Sequence, residues 1–132
     1  MYVQTNKLTV VKEDFNALIS YIEKSKNSAS FMDGASLLGN IEHAEVLEEE
    51  DFPWEVVRLN TRVVIRDKEA RYNFTYTVVL PEEADHRKCK VSVLSPIGSA
   101  LFGYRRGDDT FWLTPTGKRY FTIMAVAHER NS

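Results

Sequence analysis

The spacing of hydrophobic residues changes once along this chain, from a helical period to a period of two. In residues 13–26, Phe15, Leu18, Ile19 and Ile22 fall at i, i+3, i+4 and i+7, which predicts an amphipathic helix with one buried stripe. Lys24 and Lys26 suit the negative end of its dipole. The polar run K-N-S-A-S at 26–30 predicts a turn. A second helix is expected over about 33–45, with Leu37, Leu38, Ile41 and Ala44 as its stripe. The short link makes the two an antiparallel hairpin, reaching roughly 20 Å at the usual rise per residue. E-E-E-D at 48–51 is an acidic turn or short helix, and Pro53 stops any helix there. Phe52 and Trp54 flank that proline and are expected to pack as an apolar plug.

From residue 60 onward the pattern predicts strands. R-V-V-I-R at 62–66 is one, and D-K-E-A at 67–70 is its hairpin turn. Next, Tyr72, Phe74, Tyr76, Val78 and Leu80 alternate with Asn73, Thr75, Thr77 and Val79, predicting a half-buried antiparallel strand with aromatic inner positions. A charged loop spans 81–88, and K-V-S-V-L at 90–94 is a third strand. Ser95 and Pro96 are a helix cap and a first helical residue, and Gly103 can end the short helix they start. R-G-D-D at 106–109 turns into the strand T-F-W-L at 110–113, and T-P-T-G-K at 114–118 is another turn. R-Y-F-T-I-M-A-V-A at 119–127 is expected to be a central strand buried on both faces. The class is therefore α+β: residues 1–50 form a short helical hairpin, and 51–132 form an antiparallel sheet with one short helix.

The chain has 132 residues, is 43% hydrophobic and 27% charged, and carries a net charge of −2. That is enough chain to bury a core without disulfides or metal. Charge is uneven. Residues 1–60 hold 5 basic and 11 acidic side chains, and 61–132 hold 12 basic and 8 acidic. The basic excess is too small to imply nucleic-acid binding by charge alone. No stretch is apolar enough to span a bilayer, no signal peptide is expected, and the single Cys89 fits a reducing cytoplasm.

Several chemistries fail on spacing. Gly117-Lys118 would end a phosphate-binding loop only with Gly at 112 and Ser or Thr at 119, where Trp112 and Arg119 stand. His86 and Cys89 lack the further ligands that a structural zinc site needs, so no metal or other cofactor is expected. Ser95 precedes a proline and belongs to no nucleophile elbow.

Five motifs in order carry a resemblance: V-V-R-L-N-T-R-V at 56–63, V-S-V-L-S-P-I-G-S-A-L-F-G at 91–103, G-D-D at 107–109, T-P-T-G at 114–117 and F-T-I-M-A-V at 121–126. Together they resemble the C-terminal domain of the GreA/GreB transcription elongation factors. The short hairpin ahead of them is similar to the layout of Rnk, regulator of nucleoside diphosphate kinase, a short relative in that superfamily. The resemblance implies an FKBP-like fold for the sheet domain and a coiled-coil hairpin. It also implies a cytoplasmic partner, bacterial RNA polymerase, bound at the rim of its secondary channel.

In Gre factors, paired acids at the hairpin tip help to hold a magnesium ion for transcript cleavage. Here residues 24–34 offer only Asp33, which as an N-cap of the second helix has a structural use of its own. The expectation is a non-enzymatic, monomeric regulator that competes at the channel. Its candidate contacts are Asn27, Ser28, Ser30, Phe31 and Asp33 at the tip, and Ser95, Pro96 and Ile97 on the sheet domain. Arg105 and Arg106, in the turn beside them, could meet an acidic patch. Two alternatives stay open: a module for another protein partner, such as a nucleoside diphosphate kinase, and a prolyl isomerase-like enzyme.

Overall fold

The computed structural model describes residues 8–24 and 43–128. The chain divides into two compact units, Met1–Phe52 and Pro53–Ser132.

In the first unit, strand β1 (Thr9–Val11) runs straight into helix α1 (Lys12–Lys24). The predicted stripe is the buried one: Leu18 and Ile22 are fully covered, and Phe15 and Ile19 are half-buried. Glu13 and Asp14 in the first turn and Lys24 in the last complement the helix dipole. Most of the expected second helix, and Asn27, Ser28, Ser30, Phe31 and Asp33 with it, lie outside the described residues. The end of that helix is corrected. Residues 43 and 44 are turn and bend, and Glu45 opens strand β2 (Glu45–Leu47), which pairs in parallel with β1 through Val10↔Val46. A three-residue strand carries too little alternation to be read as one. The acidic run is a single 3-10 turn, Glu49–Asp51.

The second unit is built on a five-stranded sheet. Its strands are β3 (Thr61–Asp67), β4 (Asn73–Val79), β5 (Lys90–Ser92), β6 (Asp109–Thr114) and β7 (Gly117–His128), in the order β5-β4-β3-β7-β6. The expectation of a wholly antiparallel sheet is corrected, because β5 runs parallel to β4. The loop 81–88 explains this. Its two 3-10 turns, Pro81–Glu83 and His86–Lys88, carry the chain back before Cys89, at φ 55°, sends it forward again. Helix α2 (Pro96–Leu101) lies against β4, β5 and β6 on one face of the sheet. The core forms there from Val63, Ile65, Val78, Leu101, Phe102, Phe121 and Ile123, all buried.

Three further expectations are corrected. Strand β7 lies inside the sheet, between β3 and β6, but is buried on one face only, since Tyr120 and Met124 are exposed. A bulge between Val64 and Ile65 of β3 shifts the register, so Met124 and Ala125 are both exposed and Val126 returns inside. Tyr72 and Phe74, expected inside, are 68% and 41% exposed. Trp54 is 62% exposed, with the Arg106 guanidinium 5.5 Å above its ring, and so is no buried plug.

Candidate functional site

The short helix α2 is built by local chemistry. The Ser95 hydroxyl donates to the Ser92 carbonyl (2.6 Å) and accepts from the Gly98 amide (3.1 Å), so one side chain both caps the helix and ties it to the end of β5. Pro96 fills the first helical position, where its missing N–H costs nothing. The helix then crosses so close to β5 that a Cβ on Gly98 would stand 1.9 Å from the Ser92 carbonyl oxygen, and only glycine fits. The chain leaves through Gly103 at φ 84°. The expected roles of Ser95 as cap, Pro96 as first helical residue and Gly103 as stop therefore describe its geometry.

Beside this helix the inward face of the sheet is not fully covered. A cavity of about 340 Å³ opens between α2 and the strands. Its apolar wall is Ile65, Phe74, Tyr76, Trp112 and Phe121, with Ile97 contributed by the helix. Strand alternation puts these side chains on one face: Phe74 and Tyr76 from β4, Trp112 from β6, Phe121 from β7. Phe74 is exposed for this reason, since it points inward at a place that α2 does not reach.

One polar pair closes the pocket. Arg119 Nε and Nη2 donate to Asp67 Oδ2 at 3.1 and 2.7 Å, and Asp67 Oδ1 accepts from the amides of Glu69 and Ala70. The Ala70 amide and the Arg119 guanidinium hold the Asp67 carboxyl below the usual carboxylate range, while Asp67 in turn raises Arg119. Tyr76 is pushed upward, mainly by burial. Thr114 and Thr116 complete the rim. The site offers an aromatic, half-open slot with a neutralised ion pair at its edge. That suits an apolar side chain presented by a partner.

Of the residues singled out in the sequence, Ile97 lines this pocket, and Ser95 and Pro96 start the helix that bears it. Arg105 and Arg106 lie elsewhere. They follow α2 and pair with the start of the unit: Arg106 N donates to the Glu55 carbonyl, and Arg105 Nη1 lies 3.7 Å from Glu55 Oε1. Asp67, Trp112 and Arg119 were missed. Asp67 opens a polar turn and Arg119 leaves one, and only the pairing of β3 with β7 brings them together. Trp112 alternates with Phe111 and Leu113, and nothing in that run tells which face is covered.

Comparison with known proteins agrees with the resemblance to the GreA/GreB factors. Residues 53–128 match the family model for the C-terminal domain of transcription elongation factor GreA/GreB. The chain is 27% identical over 135 residues to transcription elongation factor GreA of Clostridium acetobutylicum, covering 95% of this chain and 85% of the relative. It is 34% identical over 109 residues to GreA of Thermoanaerobacter pseudethanolicus, covering 81% of this chain and 69% of the relative. Among solved structures, the prokaryotic transcription elongation factor GreA/GreB from Nitrosomonas europaea superposes with a TM-score of 0.77 at 30% identity, covering 94% of this chain and all of that one. The chain belongs to the GreA/GreB transcription elongation factor family.

Proposed function

We propose that this protein is a regulator that binds RNA polymerase and carries no transcript-cleavage activity of its own. On this reading the sheet unit docks at the rim of the secondary channel through Ser95, Pro96, Ile97 and the pocket beside them. The protein acts as a monomer, competing with longer Gre factors for the position. The observation that carries the docking surface is the pocket itself. Ile97, chosen from the Ser-Pro motif, shares a 340 Å³ slot with Trp112, Phe74 and Tyr76. Half-open aromatic pockets are where binding energy concentrates at protein interfaces. The absence of cleavage rests on the lone carboxylate, Asp33, within residues 24–34. A second magnesium ion shared with phosphate oxygens calls for more than one acid at the tip.

The experiment is capture of purified core RNA polymerase by this protein, with and without a GreA competitor, followed by a cleavage assay on a stalled complex. Binding that GreA displaces, with no shortening of the transcript, is the expected result. No binding at moderate salt overturns the reading, and transcript shortening overturns its non-enzymatic part.

A second reading has one observation in its favour. The cleft between sheet and helix is open and aromatic, as an FKBP-like prolyl isomerase would require. Catalysed cis–trans exchange of a proline peptide, blocked by Trp112→Ala, would support it.

A further inference from the structure

The other face of the sheet carries a second surface, independent of the pocket. Strand alternation sends Phe111 and Leu113 of β6, and Lys118 and Tyr120 of β7, away from the core. Next to them β3 presents Val64 and Arg66, and β4 presents Asn73 and Thr75. These residues are exposed or half-buried, with Leu113 at 63% and Tyr120 at 52%. A run of uncovered apolar side chains on one face marks a surface that meets something.

Its composition says what. Phe111 and Tyr120 are direct cross-strand partners, and their ring centroids lie 5.7 Å apart at a tilt of 47°. The Lys118 ammonium sits 4.6 Å from the Phe111 centroid, and exposed Arg66 donates to Asn73 on the same face. Among the described residues pointing this way from β3, β4, β6 and β7, Asp109 is the one acid. It is already held by Lys68 (2.8 Å) and by the Thr122 hydroxyl (2.6 Å). Exposed rings on a sheet flanked by Lys and Arg are the elements of a base-stacking platform, in which rings take bases and cations follow the backbone.

We propose that the outward sheet face around Phe111 and Tyr120 binds single-stranded nucleic acid without sequence preference. One base stacks on Tyr120 and its neighbour on Phe111, from which the Lys118 ammonium moves off the ring to the adjoining phosphate, and Arg66 meets a second phosphate. Because stacking reads neither base edges nor the 2′-hydroxyl, RNA and DNA strands bind alike.

The test is fluorescence anisotropy of the full chain with a short labelled oligouridylate, repeated with oligothymidylate and with duplex RNA. The expected result is binding of both single strands and much weaker binding of the duplex. Affinity should fall about five- to tenfold for a fourfold rise in salt, as two phosphate contacts require. Phe111→Ala and Tyr120→Ala should each weaken binding about fivefold or more, while Tyr120→Phe, which keeps the ring, should not. Circular dichroism melting of each variant shows whether the sheet is intact. Overturning results are no binding at low salt, binding as tight as wild type by the two alanine variants when folded, or preference for the duplex. A concentration-dependent dimer that Leu113→Glu dissolves would give the face to a second copy and overturn the proposal.

Discussion

Arg119 of β7 grips Asp67 of β3 with two nitrogens, at 3.1 and 2.7 Å, on the rim of the aromatic pocket. The same carboxylate caps its own turn through the amides of Glu69 and Ala70, so one group ties a hairpin to a neighbouring strand. The native carboxyl titrates below the ordinary value of 3.8. The unfolded chain therefore binds the proton more readily, and the contribution to stability is present above pH 3.8 and lost as pH falls through the lower native value. Wild-type protein should melt at steadily lower temperature on acidification below about pH 4.5. Asp67→Asn should melt lower at pH 7 and show a shallower acid decline. A decline as steep as that of wild type would show that other carboxylates carry the acid sensitivity.

The helix start makes two predictions of different size. Ser95→Ala removes the cap and the tie to Ser92, and should cost about 1 kcal/mol. Gly98→Ala places a methyl group 1.9 Å from a backbone oxygen that already accepts from Ser95, and backbone must move. Its cost should be larger, about 3 kcal/mol or more. Urea denaturation of the two variants measures both. A Gly98→Ala cost no greater than that of Ser95→Ala would mean that the contact between α2 and β5 relaxes freely.

These two positions also show how far the sequence was legible. Ser95, Pro96 and Gly103 could be read because caps, first-turn prolines and left-handed stops are made by neighbours in the chain. The stripe of α1 and the strands β3, β4, β6 and β7 could be read from period alone. What could not be read depends on partners distant in sequence. The parallel run of β5 is decided by how the 81–88 loop folds back. The exposure of Phe74 depends on where a six-residue helix stops covering the sheet, and that of Tyr120 on its lying on the face opposite that helix. The bulge opposite Val64 and Ile65 turns two consecutive residues of β7 outward, which strict alternation forbids. The pocket was missed for the same reason: its walls come from β3, β4, β6, β7 and α2, and alternation does not say which face α2 covers.

A buried hydroxyl at the start of β3 allows a third test. Because the Trp54 carbonyl can only accept from His128 Nε2, the neutral ring's Nδ1 accepts from Thr61 Oγ1 (2.9 Å), which itself accepts from the Arg58 amide (3.0 Å). His128 then carries its hydrogen on Nε2 and donates it to the Trp54 carbonyl. This chain joins the start of β3 to the last residue of β7 and to the segment entering the unit. Thr61→Val keeps the volume and removes the hydroxyl, leaving the ring nitrogen and the Arg58 amide without that partner. The expected cost is about 1–3 kcal/mol. Thr61→Ser, which retains the oxygen, should recover much of it. Thermal melting of the pair decides this, and a Thr61→Val variant as stable as wild type would show that the hydroxyl's hydrogen bonds add nothing to stability.

The docking surface makes the most direct prediction about function. If Ile97 and Trp112 receive an apolar side chain of the polymerase, truncating either should remove contact area at the centre of the interface. Trp112→Ala and Ile97→Ala should each weaken binding to core polymerase about tenfold or more, the loss typical of a central apolar anchor. Glu82→Ala, on the exposed 3-10 turn after β4, should leave affinity unchanged. Truncation in a pocket also risks the fold, so the readout needs a second arm. Thr116→Arg fills the rim from an exposed position without touching the core, and should block docking while the melting temperature stays within a few degrees of wild type. Titration of labelled protein with polymerase gives all four affinities. Loss in the two alanine variants and in Thr116→Arg, with Glu82→Ala intact, would place the contact at the pocket. Full binding by Thr116→Arg would move it away from this cleft, and the Ser95-Pro96 segment would then act only as a helix start.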